Sequence, residues 1–245
     1  MTDQGQSTAP AYRRVLIKIS GEALMGKMDY GISPAMLSEV AEQIGRARGK
    51  GVEIGIVVGG GNIFRGVSGA AQGMDRAAAD QMGMLATVIN ALALQDAFER
   101  QNIPARVLSA IEVGKMAEPF IRGRALRHLA NGKIVIFAAG TGNPFFTTDT
   151  AATLRALETN ADIMFKATRV DGVYDKDPYK FPDARLYDNL SCSEILEHEL
   201  KVMDAAAISL ARDAKLPIMV FNMLADDNIE RALDGEKIGT FIKPE

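Results

Sequence analysis

Four short segments of the 245-residue chain combine charge, glycine and hydroxyl groups in patterns suited to anion chemistry. The first is KISGE (18–22), where Lys18 precedes Ile19, Ser20 and Gly21. It pairs a cation with backbone N–H groups able to face a phosphate, although a surface-directed lysine at a strand edge accounts for it equally well. The second, VVGGGNIFRG (57–66), sets Gly59, Gly60 and Gly61 after an apolar run. Without Cβ atoms the backbone there can approach an anion closely, and Arg65 offers a fork of donors. The third, AGTGNPFFTTD (139–149), is a second glycine loop whose first ten residues are uncharged. Its N–H, hydroxyl and aromatic groups suit a neutral polar ring such as a nucleoside. Thr147 or Thr148 is predicted to cap a helix, leaving Asp149 in the first turn, where dipole stabilisation alone would explain the carboxylate. The fourth, KATRVDGVYDKDP (166–178), repeats the first with Lys166 and adds Thr168, a turn at Asp171-Gly172, and Tyr174 as a stacking face. Its charge run at 175–177 reads equally well as a solvated loop.

Several chemistries are excluded by what these segments lack. GEALMGK (21–27) satisfies the spacing of a P-loop, but Met28 stands where Ser or Thr must hold Mg²⁺. Phe64 occupies the third glycine position of a dinucleotide fingerprint, and Phe145 disqualifies the second loop in the same way. A lone cysteine, Cys192, permits no disulfide framework, and the two histidines, His128 and His198, have no metal-ligand spacing. Any metal is therefore expected to be a hard cation on oxygen ligands. A net charge of −3 argues against a nucleic-acid face. The longest charge-free stretches, 81–95 and 134–148, are 15 residues each, short of the ~18 needed to span a bilayer. With a polar N-terminus as well, a cytoplasmic protein is expected.

The elements that must position these segments alternate. β-Branched runs at 14–20, 52–58, 105–110, 133–139, 161–166 and 217–222 read as strands. Helical periodicity or capping marks 34–47, 75–100, 122–130, 148–159, 193–200, 204–214 and 226–235, and a short strand is expected at 237–242. Alternation of this kind predicts an α/β fold, a three-layer αβα sandwich around a mostly parallel central sheet. Residues 1–12 are expected to be a flexible tail and 13–245 one domain. The apolar helix at 82–94 reads as either a central core helix or a subunit interface. All four segments follow strands, and ligands of open α/β sheets bind at strand carboxyl ends. Two lysines, an arginine, two glycine nests and nearby carboxylates there form the inventory of phosphoryl transfer, which needs positioning and charge neutralisation.

At this level of detail the chain resembles the amino acid kinase superfamily and, within it, the bacterial uridylate (UMP) kinases. The matching segments are KISGEAL (18–24), GGGNIFRG (59–66), DQMGMLAT (80–87), AAGTGNPFFTTDTAA (138–152), ATRVDGVYDKDP (167–178), KVMDAAA (201–207) and LPIMVFNM (216–223). The resemblance implies ATP-dependent phosphorylation of UMP in pyrimidine nucleotide biosynthesis. Lys18, Ile19, Ser20, Gly21, Gly61 and Arg65 would meet the ATP phosphates. Thr168, Tyr174 and Asp177 would line the ATP nucleoside pocket. Gly60, Asp80, Thr141, Gly142, Asn143, Pro144, Phe145, Phe146, Thr147 and Thr148 would hold UMP, with Asp80 on the ribose hydroxyls. Lys18, Arg65, Asp149 and Lys166 would be catalytic, and Asp204 is a further candidate. Mg²⁺ would arrive with ATP rather than on direct protein ligands. The family also implies a homohexamer, activation by GTP through the segment Gly26, Lys27, Met28, Asp29, Tyr30 and Gly31, and inhibition by UTP. Arg169 departs from the family pattern, where Lys or Asn is expected. Two other readings remain open: a superfamily kinase acting on a small carboxylate or carbamate, and a module that only senses nucleotides.

Overall fold

The computed structural model describes residues 10–64, 73–225 and 227–245. Their centre is a pair of parallel strands, β1 (Arg14–Ile19) and β2 (Glu53–Val58), whose apolar residues are buried on both faces. Near-continuous apolar runs of this kind mark strands covered by helices on both faces. Around them lie β3 (Ala105–Ser109), β4 (Glu118–Pro119), β5 (Ile134–Ala138), β6 (Ile163–Thr168), β7 (Asn189–Ser191), β8 (Ile218–Asn222) and β9 (Thr240–Lys243). They form one sheet in the order β4-β3-β5-β2-β1-β6-β8-β9-β7. Among these pairings β8–β9 alone is antiparallel.

Among the described residues the helices are α1 (Pro34–Gly49), α2 (Arg76–Arg100), α3 (Arg122–Ala130), α4 (Thr148–Glu158), α5 (Cys192–Glu197), α6 (Ala205–Asp213) and α7 (Asn228–Leu233). Ile17, Ile19, Ile56 and Val58 face one layer, with Val40 and Ile44 of α1, Val88 and Leu94 of α2, and Ile229 of α7. Leu16, Val57 and Met164 face the other, with Leu129 of α3, Ala152 of α4, Ile195 of α5 and Ile208 of α6. Strand side chains alternate, so Lys18 and Lys166 share the second face with Leu16 and Met164. The chain is thus a three-layer αβα sandwich around a mostly parallel sheet.

From β1 the chain moves outward on one side to β2 and later on the other to β6 and β8, so the β1–β6 boundary is the switch point. A crevice must open there at the carboxyl ends of both strands. Lys18 and Lys166 occupy equivalent positions of that pair.

Three short elements escaped the sequence pattern: β4, β7 and a 3₁₀ turn over Gly21–Met25. Runs of two to five residues are too short to show a period. Ala11 and Tyr12, assigned above to the flexible tail, are instead docked. Ala11 N–H donates to Leu233 O at 2.9 Å, and the Tyr12 ring meets Phe165 edge-on at 5.9 Å.

By length and composition α2 is apolar enough to cross a bilayer. It lies on the sheet instead, burying Met84, Val88, Ala91 and Leu94, while Met82, Leu85 and Ile89 stay 41%, 49% and 50% exposed on its other side. The two readings of this helix are therefore not exclusive. One face is core, and the other is an apolar stripe free to be covered.

Candidate active site

The centre of the site is a carboxylate between two ammonium groups. Thr147 caps α4, its hydroxyl accepting from Asp149 N–H at 3.0 Å, which points the Asp149 side chain back over the strand ends. Lys166 Nζ donates to Asp149 Oδ2 at 2.7 Å and to Val202 O at 2.6 Å. Lys18 Nζ forms an ion pair with Asp149 Oδ1 at 2.8 Å. The side chains of Lys18, Lys166 and Asp149 are only 11%, 12% and 14% exposed. Burial works to raise the Asp149 carboxyl pKa, but the two ammonium groups overcome it and hold the carboxyl below its ordinary value. Burial pushes the Lys166 pKa down, Lys18 adds repulsion, and Asp149 opposes both. The cluster carries a net positive charge in a water-poor crevice, where a pre-set cation acts most strongly on an anion.

Two cavities flank this cluster. The larger, about 580 Å³, is lined by Lys166, Thr168, Tyr174 and Asp177, the residues expected around an ATP nucleoside, with a wall supplied by His198–Val202. Tyr174 is pinned by an antiparallel bridge to Leu186, and burial, then Asp171, keeps its phenol protonated. The smaller, about 180 Å³, is lined by Gly60, Asp80, Asn143, Phe146, Thr147 and Thr148 and also by Arg76. Of the residues expected at a UMP site, Thr141, Gly142, Pro144 and Phe145 do not line it. The Thr141 hydroxyl is turned onto Asn143, and Phe145 is 66% exposed. The Asp80 carboxylate, expected on a ribose, is held through Oδ2 by Arg76 Nε and Phe145 N–H, each at 2.8 Å.

Ser20 caps the 3₁₀ turn and Gly21 packs on the glycine loop, where a Cβ would fall 2.6 Å from Gly59 O. Both therefore sit beside Lys18 and Ile19 at the strand end. The segment 26–31 lies behind that loop: Gly31 N–H donates to Asn62 O at 2.9 Å, while Met28 and Tyr30 are exposed. Asp204 caps α6 and accepts from the Thr150 hydroxyl at 2.8 Å and from the Thr147 hydroxyl. It joins α4 to α6 beside the cluster rather than entering it. Arg65 lies outside the described residues.

No three His, Cys, Asp or Glu side chains among the described residues group as metal ligands. Asp149 and Asp204 are both taken up by protein donors, so a hard cation here fits as a companion of phosphate oxygens, not as the guest of a protein cage.

Sequence reasoning passed over Arg76, Thr87, Asn90 and the Val202 carbonyl. Arg76 was findable as the i,i+4 partner of Asp80. Thr87 and Asn90 were findable as polar residues inside an apolar helix, which need partners once buried. The Val202 contact depends on tertiary structure alone.

The amino acid kinase family model matches residues 13–222. A UMP kinase from Bacillus anthracis superposes with a TM-score of 0.91 at 42% identity, over 96% of this chain and 97% of that one. A UMP kinase from Ureaplasma parvum gives 0.88 at 38%, over 94% and 98%. The uridylate kinase of Archaeoglobus fulgidus gives 0.72 at 28%, over 93% and 99%. A match across so much of the chain, on a fold whose switch point carries paired lysines around one aspartate, makes this protein a member of the amino acid kinase family.

Proposed function

We propose that the chain is a UMP kinase, transferring the γ-phosphoryl group of ATP to UMP and yielding ADP and UDP for pyrimidine nucleotide synthesis. The observation that carries this is the Lys18–Asp149–Lys166 cluster set between a large and a small cavity at the switch point. In this reading ATP occupies the larger cavity, with Tyr174 beside the nucleoside and its phosphates reaching Lys18, Gly21 and Gly61. UMP occupies the smaller, between Asp80 and Phe146. An oxygen of the UMP phosphate attacks the γ-phosphorus, the bond to the β,γ-bridging oxygen breaks, and that electron pair leaves with ADP. The acceptor is already ionised, so no general base is needed. Asp149 orients both lysines, which offset the charge on the transferred group. Arg65 would add a further cation. Mg²⁺ bound to the ATP phosphates would supply additional charge neutralisation.

A neutral-polar loop and a carboxylate at the acceptor cavity favour a nucleotide over a small carboxylate or carbamate. ADP release measured across UMP, CMP, aspartate, acetylglutamate and carbamate tests this. Turnover with UMP far above the rest is expected, and turnover with an acid instead would overturn it. Nucleotide binding without turnover would favour the sensing module. The remaining expectations rest on family resemblance: a cytoplasmic homohexamer with residues 13–245 as its catalytic unit, activated by GTP through 26–31 and inhibited by UTP. The Met82, Leu85 and Ile89 stripe is the surface we assign to subunit contact.

A further inference from the structure

Helix α2 is apolar through its middle, yet it buries two polar side chains, Thr87 at 3% and Asn90 at 0% exposure. Leaving such groups unpaired in the interior is costly, so their partners are informative. Both are spent on the glycine loops. Asn90 Nδ2 donates to Gly59 O and to Asn62 Oδ1, each at 2.7 Å. Asn62, 2% exposed, returns a bond to Asn90 Oδ1 at 3.0 Å and also donates to Gly31 O at 2.9 Å. One turn away, the Thr87 hydroxyl donates to Met84 O and accepts from Ala139 N–H at 2.8 Å. Ala139, at φ 63°, opens the second loop. Close packing repeats the pattern, since a Cβ on Gly60 would come within 2.8 Å of Gly83 O in α2.

Glycine-rich backbone has little conformational preference of its own, so something stiffer must fix where each loop stands. We propose that Thr87 and Asn90 are positioning residues through which α2 sets the donor-phosphate loop and the acceptor loop in register for in-line transfer. This rests on the kinase reading above. Thr87 borders the acceptor cavity, whereas Asn90 lines neither cavity and acts only through Gly59 and Asn62. Their spacing of three residues places both on one face of one helix, so the distance between the loops is set by a rigid body. A merely structural role would lower stability and spare turnover. A positioning role lowers kcat while each nucleotide still binds its own loop, because a misplacement near 1 Å can cost about 10²-fold.

The test compares Asn90→Leu, Thr87→Val and Thr87→Ser with wild type in three measurements. These are kcat with ATP and UMP, calorimetric Kd for each nucleotide alone, and amide exchange at 59–62 and 139–142. Expected is a fall in kcat of about 10²-fold for Asn90→Leu and a smaller fall for Thr87→Val, with little change in either Kd. Thr87→Ser, which keeps the hydroxyl, should recover most of the activity. Exchange should quicken at 59–62 in the first variant and at Ala139 in the second. Unchanged kcat, weakened binding with kcat intact, or a Ser variant as impaired as the Val one would overturn the proposal. If Asn90→Leu does not fold, the Thr87 pair decides the question. If wild type releases no UMP-dependent ADP, the kinase reading fails separately, and exchange alone decides whether α2 orders both loops.

Discussion

The two glycine loops follow neighbouring strands and read alike in sequence, yet they are built on opposite principles. The loop at 59–62 is packed against its neighbours: Gly21 presses on its backbone, Gly60 presses on α2, and Asn62 is sealed inside. The loop at 139–148 is held at its ends and open between them. Ala139 is tied to Thr87, Phe145 N–H to Asp80, and Thr147 to Asp204, while the Phe145 and Phe146 rings are 66% and 51% exposed. A loop for phosphates must present backbone N–H groups at fixed points. A loop that admits a nucleoside must leave a way in. Glycine serves the first by allowing close approach and the second by allowing left-handed turns, as at Gly140 and Gly142 with φ 60° and 83°.

The heaviest blow to this arrangement falls where the two loops converge. Asp149→Asn leaves Lys18 and Lys166 facing each other and should cost about 3–5 kcal/mol in chemical denaturation as well as abolishing turnover. Because the folded-state pKa of Asp149 is depressed, its contribution is present above the ordinary carboxylate range and is lost as pH falls below about 4. Wild-type stability should therefore fall more steeply in acid than that of the variant.

Lys166→Met comes next, with kcat reduced about 10²–10³-fold. Its stability should move the other way. The depressed pKa of Lys166 means the folded state disfavours its charge at neutral pH, a cost relieved only as pH rises toward the ordinary lysine value near 10.4. Removing the amine while Lys18 still pairs with Asp149 should leave the protein at least as stable as wild type at pH 7. A large loss of stability would overturn that account.

The same substitution placed near each loop tests the contrast directly. Gly21→Ala puts a Cβ 2.5 Å from Asn62 Oδ1 and 2.6 Å from Gly59 O, the latter a backbone atom that cannot swing away. Overpacking of this kind costs about 1–3 kcal/mol, and kcat should fall with it. Gly140→Ala meets nothing within 4 Å and carries only the left-handed penalty of its φ, about 1 kcal/mol. Equal effects on Tm would erase the distinction between a packed and an open loop. Smallest of all, Phe145→Ala should shift stability by less than about 0.5 kcal/mol, since the ring lies on the surface beside Arg76.

Much of this is legible in the sequence alone. Strand β1, a helix cap at Thr147 or Thr148, and the placing of Lys18 and Lys166 at strand ends all follow from β-branched runs, capping chemistry and α/β alternation, which are local. The sequence by itself determined which groups are available: two lysines, one aspartate and two glycine-rich turns. It did not determine that Lys18 and Lys166 stand in register on adjacent strands, because 148 positions separate them and strand order is fixed only when the helix layers close. Nor did it assign partners to Thr87 and Asn90. An apolar helix announces that it will be buried, but which backbone its few polar atoms must satisfy depends on what packs against it, and only the tertiary structure decides that.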